Sequence, residues 1–344
     1  MSVSKEKKID IVAVARAAKV SPSTVSRSFN HPDLVKAGTR KKIDAAVRRL
    51  GYIRNRAAQT IHGIRSGTVG LIVPTIDHTI FAELIQSFAT SIEARGFTIL
   101  VAAHGYSLDR EYDLARKMLE HRVDGLAFVG HNHSDDTYEL LKQQGTPTIL
   151  LWNYSDDAPF PSVGSDNFLA GQLVGQHVAD LGHKSIALVF PPLDGNDRAT
   201  ERFQGVVTAL DAANRAVPKD WQLETPYSVG AAKEAVLNLV NGGQRPTAII
   251  CGNDVLAWGA LHALAKAGMH VPETVTVTGI GDFKGSNAFE PALTTVRIPA
   301  HQIGAQAAET IANIITTDMP TAESTLIQPV LVARQTSARV SPDH

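Results

Sequence analysis

Residues 20–30 read VSPSTVSRSFN, and this stretch decides the fold expected for the N-terminal part of the chain. Ser21 suits an N-cap, because its hydroxyl accepts a hydrogen bond from a free amide of the first helical turn. Pro22 suits the first helical position, where its fixed φ helps and its missing N–H is not needed. The stretch therefore predicts a short helix that begins at Pro22.

The predicted helix has an apolar side and a polar side. Val25 and Phe29 are four residues apart and share the apolar side. Short polar side chains let a helix enter the major groove of DNA, where arginine bonds guanine and asparagine bonds adenine. By itself the pattern also fits an ordinary amphipathic helix with a solvated polar face. The polar side carries Ser23, Ser26, Arg27 and Asn30.

Two amphipathic stretches flank this helix. Residues 11–18 have the apolar spacing of a helix, with Asp10 placed as its N-cap. Residues 43–50 repeat that spacing with basic residues outside, and Gly51 ends the pattern. Three short helices with a polar second helix form the helix-turn-helix layout of DNA-binding domains.

Charge is divided unequally along the chain. Residues 1–66 contain 15 Lys and Arg against 4 Asp and Glu, a net charge of +11. Residues 67–344 contain 18 against 30, a net charge of −12, so the overall value of −1 conceals a basic head on an acidic body. A basic head of this size is typical of a domain that binds the phosphate backbone.

These motifs resemble the headpiece of the LacI/GalR family of bacterial repressors. The resemblance is carried by IDIVAVARAAKVSPSTVSR at 9–27, TR at 39–40, LGYI at 50–53 and NRAA at 55–58. Two residues depart from the family pattern. Lys19 replaces a usual glycine in the turn, which predicts a strained left-handed residue. Lys36 replaces the usual serine cap before the third helix.

The resemblance implies a hinge after the headpiece, at residues 56–67, that folds only on operator DNA and pairs with its twin in a dimer. By position Ile61 is the apolar wedge that enters the minor groove, and such wedges kink DNA. The alternative is a flexible linker. The predicted DNA-binding residues are Ser21, Pro22, Ser23, Thr24, Ser26, Arg27, Asn30, Arg40, Asn55, Arg56, Ala58 and Ile61.

Length and composition predict an ordinary globular chain of two or three domains. No apolar run reaches the ~20 residues of a transmembrane helix, and the N-terminus has no apolar segment typical of a signal peptide. The single cysteine, Cys251, suits a reducing compartment and a buried position. We therefore expect a cytoplasmic, nucleoid-associated protein without contact to a membrane.

From residue 69 onwards, apolar runs alternate with helical patterns, which predicts parallel sheets covered by helices. Two successive α/β rounds resemble the periplasmic-binding-protein-like core of the same family. The expected fold is α/β, with a three-helix helix-turn-helix headpiece at 1–55 and a two-lobed core at 68–340. The N-lobe is predicted at about 68–162 and 295–322, and the C-lobe at about 163–294 and 323–340.

Ligands of open parallel sheets bind beyond the carboxyl ends of the strands. The family resemblance points to the same loops, in a cleft between the lobes. Arg202 occupies the position of the family's ligand-binding arginine, and Asn253 lies in its Asn-Asp motif. The predicted effector-binding residues are Asp77, Phe81, His104, Tyr106, Asn132, Trp152, Asn153, Arg202, Asn253 and Asp282.

Two departures indicate the class of effector. Gly281 stands where members that bind neutral sugars or purines usually have aspartate, with Asp282 one residue later. Asn153 stands where a sugar-binding carboxylate is expected. Carboxylates bond hydroxyl groups but repel an anion. Together with His104 and Tyr106, the pattern is similar to the gluconate-responsive branch and favours a sugar acid such as gluconate or 2-ketogluconate.

The sequence thus predicts a homodimeric repressor that a small sugar acid releases from a near-palindromic operator on double-stranded DNA. A neutral sugar or purine effector, and a ligand that acts as corepressor, remain open. A sugar-binding transport protein is disfavoured by the basic headpiece. An α/β enzyme is disfavoured because no catalytic set, metal-ligand cluster or dinucleotide-binding motif is found, and we expect no cofactor.

Overall fold

The computed structural model describes residues 9–54, 65–77, 79–317 and 322–340. They fall into two compact units, one ending at Ser66 and the other beginning at Gly67. Most of the predicted hinge lies outside the described residues, and so do four predicted DNA contacts, Asn55, Arg56, Ala58 and Ile61.

The first unit contains the three predicted helices, α1 (Ile11–Ala18), α2 (Pro22–Asn30) and α3 (Ala37–Leu50). The helices pack around a small core because each turns one apolar side inwards. Phe29 packs against this core, as its spacing from Val25 predicts. The core consists of Val14, Ala15, Ala18, Val25, Ile43 and Ala46.

The helix ends follow the expected caps. Asp10 Oδ1 accepts a hydrogen bond from the Ala13 amide at 2.8 Å, and Ser21 Oγ accepts one from the Thr24 amide at 3.2 Å. Lys19 has φ 55° and ψ 47°, the left-handed conformation predicted for this turn. Lys36 precedes α3 without a side-chain hydrogen bond to the helix. The headpiece therefore carries one strained residue and one uncapped helix start.

The second unit consists of alternating strands and helices. Its helices are α4 (Thr79–Ala94), α5 (Leu108–Glu120), α6 (Asp135–Gln144), α7 (Asn167–Asp180), α8 (Asp197–Ala212), α9 (Val229–Asn241), α10 (Asp254–Lys266) and α11 (Ala300–Thr317). Its strands are β1 (Thr68–Val73), β2 (Thr98–Ala103), β3 (Gly125–Val129), β4 (Thr148–Asn153), β5 (Ser162–Ser165), β6 (Ile186–Phe190), β7 (Gln222–Glu224), β8 (Ala248–Cys251), β9 (Thr276–Gly281), β10 (Thr294–Arg297), β11 (Thr325–Leu326) and β12 (Val330–Val332).

The strands form two six-stranded sheets, one in each lobe. The order is β11-β5-β4-β3-β1-β2 in the N-lobe and β12-β10-β9-β8-β6-β7 in the C-lobe. Within the described residues, every pair is parallel except β10–β12. Helices α4 and α11 pack together on one face of the N-lobe sheet, and α5 and α6 cover the other. The α/β fold class is confirmed.

The lobe boundaries differ from those predicted. Residues 163–165 belong to the N-lobe, because Val163 pairs with Leu151 of β4. Strand β10 belongs to the C-lobe, where Thr295 pairs with Gly279. Residues 324–332 divide into β11 and β12, which pair in different sheets. Pro329 lies between them and has no N–H to donate to a sheet.

Two glycines bring α7 and α8 into close contact. A Cβ atom at Gly171 would overlap the carbonyl oxygen of Arg202, and one at Gly205 would overlap that of Phe168. Only glycine permits this approach, so the position of Arg202 is fixed by backbone packing.

Cys251 is fully buried, as predicted, and burial raises the pKa of its thiol. Within the described residues, no helix is long and apolar enough to cross a membrane.

Candidate functional site

Helix α2 presents the polar side that the sequence predicts. Ser21, Pro22, Ser23 and Arg27 are exposed, and Val25 on the opposite side is fully buried. The Ser21 hydroxyl lies 2.8 Å from both the Ser23 and Thr24 hydroxyls. Ser26 and Thr24 are half-buried at the edges of this surface. The arrangement places a guanidinium and short hydroxyl side chains on one accessible helix face.

Asn30 is engaged inside the first unit. Its Oδ1 accepts a hydrogen bond from the Arg54 guanidinium, and its Nδ2 donates to Ser26 Oγ at 3.4 Å. The Arg54 guanidinium also lies 5.5 Å from the centre of the Phe29 ring. Asn30 thus has a structural role in the headpiece, and its predicted base contact stays a prediction. Arg40, by contrast, is exposed on α3 beside Lys41 and Lys42, where it is accessible to phosphate groups.

A small cavity lies in the cleft of the second unit. Its walls come from α4, α8 and the carboxyl ends of strands in both sheets, as expected for a parallel sheet. Five predicted effector residues meet there: Phe81, Tyr106, Trp152, Arg202 and Asn253. The other lining residues are Ile80, Arg198, Tyr227 and Phe283.

Two buried arginines on α8 form one wall of the cavity. Arg202 Nε donates to the carbonyl oxygen of Arg198 at 3.1 Å, and its Nη2 lies 3.4 Å from the Tyr227 hydroxyl. Arg198 Nη1 lies 2.8 Å from Oδ1 of the neighbouring Asp197. Arg198 and Arg202 are only 6% and 5% exposed, so both guanidinium groups are held in place by the fold.

Aromatic rings form the opposite wall. The Phe81 and Trp152 ring centres are 5.6 Å apart, and Trp152 has a positive φ of 83°. The buried Trp152 Nε1 has no hydrogen-bond partner among the described residues. Burial, together with Tyr227, raises the pKa of Tyr106 to about 12, so its hydroxyl stays protonated. This wall offers flat apolar surfaces and an unused N–H donor.

A buried polar cluster lies behind the N-lobe wall. His133 Nδ1 is 2.8 Å from Glu111 Oε1, and its Nε2 donates to the carbonyl oxygen of Gly130 at 3.0 Å. The second Glu111 oxygen is 3.5 Å from His104 Nε2. Burial lowers the pKa of His104. His104 was predicted to bind effector, but it pairs with Glu111 and does not line the cavity.

Three further predicted residues lie off the cavity wall. Asp77 is exposed, and its amide donates to Thr75 Oγ1 at 3.1 Å. The Asn132 side chain is exposed, and its backbone amide donates to Asp197 Oδ2 at 3.3 Å. Asn153 is buried and donates to the Glu201 carboxylate. None of the three lines the cavity, and their direct contact with effector stays a prediction.

Asp282 is turned away from the cavity by two arginines. Its carboxylate oxygens lie 2.7 Å from Arg297 Nε and 2.6 Å from Arg334 Nη2. Asp282 has a positive φ of 56°, and the next residue, Phe283, lines the cavity instead. The carboxylate is neutralised within the C-lobe, and the predicted effector contact of Asp282 stays a prediction.

The Asn253-Asp254 motif stabilises the backbone beside the cavity. Asn253 Oδ1 caps α10 by accepting from the Leu256 amide at 3.0 Å. Asp254 is fully buried and accepts from the Phe283 amide and from the Ser286 and Thr295 hydroxyls. Burial raises the pKa of Asp254 to about 6, although these bonds oppose the rise. The motif thus fixes the loop that carries Phe283.

Four lining residues were not predicted to bind effector, although three of them have a signal in the sequence. Tyr227 follows the carboxyl end of β7, so it obeys the strand-end rule that located the other loops. Arg198 precedes Arg202 by one helical turn on the same helix. Phe283 follows the carboxyl end of β9 and carries the same signal, whereas Ile80 has no comparable one. Among the residues that the structure describes, no cluster of three or more His, Cys, Asp or Glu side chains suits a metal ion.

Known proteins match both units. Residues 10–55 match the bacterial regulatory proteins of the lacI family, and residues 66–336 match the periplasmic binding proteins and sugar binding domain of the LacI family. The chain is 31% identical over 320 residues to catabolite control protein A of Priestia megaterium, covering 93% of this chain and 96% of that protein.

A second relative and a solved structure agree with this assignment. The chain is 28% identical over 327 residues to the HTH-type transcriptional repressor PurR of Proteus mirabilis (strain HI4320), covering 94% of this chain and 96% of that protein. The lac repressor dimer bound to operator and the anti-inducer ONPF has a TM-score of 0.85 at 25% identity, covering 96% of this chain and 100% of that one. The chain belongs to the LacI family of DNA-binding bacterial transcription regulators.

Proposed function

We propose that this chain is a dimeric repressor that leaves its operator when a sugar acid binds in the cleft. The exposed hydroxyl groups and guanidinium of α2 read the operator, and the basic surface of α3 contacts phosphates. The related lac repressor, which was solved as a dimer on operator, supports the dimer and the two-fold site.

One observation carries the effector class. Two buried guanidinium groups, Arg198 and Arg202, line the cavity, whereas none of its nine lining residues has a carboxylate. Asp197 already pairs with Arg198 and with backbone amides, and Glu201 bonds Asn153, so the Arg202 guanidinium is the cavity cation that an effector anion would neutralise. Guanidinium groups bind carboxylates through charge-assisted hydrogen bonds, so the cavity favours an anion.

The remaining wall suits a hydroxylated chain. Phe81 and Trp152 provide apolar faces for C–H groups, and Trp152 Nε1 and the Tyr106 hydroxyl provide donors. Asn253 adds an amide at the opposite side. A small acid with several hydroxyl groups, such as gluconate or 2-ketogluconate, combines both requirements. A neutral sugar or a purine uses the aromatic wall but brings no anion to the buried guanidinium of Arg202.

Isothermal titration calorimetry tests the effector class with gluconate, 2-ketogluconate, ribose and guanine. We expect a sugar acid to bind, and Arg202→Ala to weaken its binding at least tenfold because the buried charge contact is lost. Lys284→Ala is the matched control, since Lys284 is an exposed cation that does not line the cavity. Binding of ribose or guanine without either acid refutes the sugar-acid proposal.

Whether the effector weakens or strengthens operator binding is measured with DNA present. Operator sequences selected from random duplex DNA are labelled, and their binding to the full chain is followed by fluorescence anisotropy. A repressor of the proposed kind releases the operator when its sugar acid is added. A protein that uses the acid as corepressor binds the operator more tightly when the acid is added. The coupling is reciprocal, so operator must change the affinity for effector by the same factor. An effector affinity that operator leaves unchanged contradicts the proposal.

A further inference from the structure

The first two turns of α8 join the two lobes. Asp197 Oδ2 accepts hydrogen bonds from the backbone amides of His131 at 2.8 Å and Asn132 at 3.3 Å. These amides follow β3 of the N-lobe, whereas α8 connects β6 and β7 of the C-lobe. One carboxylate therefore bonds two amides across the cleft.

The surroundings keep this carboxylate charged. Burial by itself raises the pKa of Asp197, but the Arg198 guanidinium and the amides of His131, Arg198 and Asn132 hold it below its ordinary value. Hydrogen bonds from amides to an ionised carboxylate are stronger than those between neutral groups. The contact is thus an ionic hydrogen-bonded bridge between the lobes.

The N-lobe loop at 130–133 is shaped to receive Asp197. Both ring nitrogens of His133 are occupied, one by Glu111 and the other by the Gly130 carbonyl. The Tyr138 hydroxyl donates to the His131 carbonyl at 2.7 Å. These bonds orient the His131 and Asn132 amides towards the C-lobe.

Gly130 allows α8 to approach the loop. It has a positive φ of 97°, and a Cβ atom there would overlap Arg198 Nη1 and press on Asp197 Oδ2. The same guanidinium lines the cavity and is ion-paired with Asp197. Arg198 therefore contacts both the bridge and the space that the effector occupies.

We propose that Asp197 and the loop at 130–133 form an interlobe latch that holds the cleft closed, and that Arg198 links this latch to the effector. The latch is inferred from the contacts of Asp197 with the N-lobe, whereas its link to the effector rests on the proposed function. A ligand that contacts both walls favours the closed cleft and so strengthens the latch, and by reciprocity the latch favours ligand binding.

Hydrogen exchange of the His131 and Asn132 amides measures the latch directly. The full chain is compared with Asp197→Ala and with Asp194→Ala, a matched control at an exposed aspartate in the loop just before α8. Without effector, we expect exchange of these two amides to be about tenfold faster or more in Asp197→Ala, because they lose an ionic acceptor. Asp194→Ala leaves their rates unchanged. Equal rates in all three proteins overturn the latch.

Asp197→Asn provides a second test that does not depend on whether the alanine variant folds. Its amide oxygen can still accept both hydrogen bonds but without the charge, so the two amides should exchange at rates between those of the other proteins. Rates in the asparagine variant equal to those of the unchanged chain argue that the charged bridge does not hold the cleft.

The link to the effector is tested with sodium gluconate in the same exchange experiment. Where calorimetry shows that gluconate binds, we expect the two amides to exchange more slowly in the unchanged chain and the protection to be largely lost in Asp197→Ala. Bound gluconate without any change in exchange overturns the link. If gluconate does not bind at all, the effector assignment fails, and the experiment without effector still decides the latch.

Discussion

Asn153 Nδ2 lies 3.2 and 3.1 Å from the two carboxylate oxygens of Glu201, so an amide at the end of β4 in the N-lobe donates to a carboxylate of α8 in the C-lobe. Burial and the charge of Asp197 raise the pKa of Glu201 to about 7, although the bond from Asn153 opposes the rise. Asp166 and Arg202 are the other charged groups that act on it.

This pKa predicts that stability depends on pH. Because the folded pKa lies above the ordinary value of 4.5, the protonated carboxyl favours the folded state. That contribution is present below about pH 4.5 and is lost as pH rises through about 7. Denaturant unfolding at about pH 5 to 8 should show the unchanged chain losing stability relative to Glu201→Gln. Parallel pH profiles contradict this assignment.

Arg27→Ala should weaken operator binding by about 1–3 kcal/mol and relax base preference at one operator position. Arg27 is exposed on the polar side of α2, and its loss leaves the helix core intact. Arg40→Ala is the comparison, because a phosphate contact weakens all sequences alike and lowers the salt dependence. Fluorescence anisotropy on matched and mismatched operators distinguishes the two. A uniform loss in Arg27→Ala refutes its role in base recognition.

Asp282→Ala should destabilise the C-lobe by about 3 kcal/mol without a direct loss of effector contacts. The substitution leaves Arg334, whose side chain is 15% exposed, without its ionic partner. Asp77→Ala is the control, since Asp77 is exposed. Denaturant unfolding measures the first effect, and calorimetry on the folded variant measures effector affinity. A tenfold loss of affinity in a stably folded Asp282→Ala supports the original prediction for this residue.

Lys36→Ser should stabilise the headpiece by about 1 kcal/mol. The residue before α3 has φ −53° and ψ 136° and provides no side-chain cap, whereas a serine hydroxyl accepts a bond from an amide of the first turn. Hydrogen exchange of the buried amides of α3 measures the gain. Lys36→Ala lacks the hydroxyl and serves as control, and equal exchange in both variants rules out a capping effect.

The sequence by itself determined the elements and the place of the site. Ser21 and Pro22 fix the start of α2 through contacts within one helical turn, and Val25 marks the side that packs. The alternation of apolar runs and helical patterns determines parallel sheets, whose strand ends converge in the cleft. These features are readable because their causes act between residues close together in the chain.

Only the tertiary structure decided which polar groups remain available to bind an effector in the cavity. Asp282 finds Arg334, 52 residues further along the chain, and Glu201 finds Asn153, 48 residues earlier. The same holds for β5, which joins the N-lobe sheet by pairing with β4. A buried charge must find a partner wherever the fold provides one, and no local pattern specifies that partner. The cavity therefore has two guanidinium groups and no carboxylate on its wall: Asp197 pairs with Arg198 from behind and bonds the N-lobe amides, and Glu201 bonds Asn153.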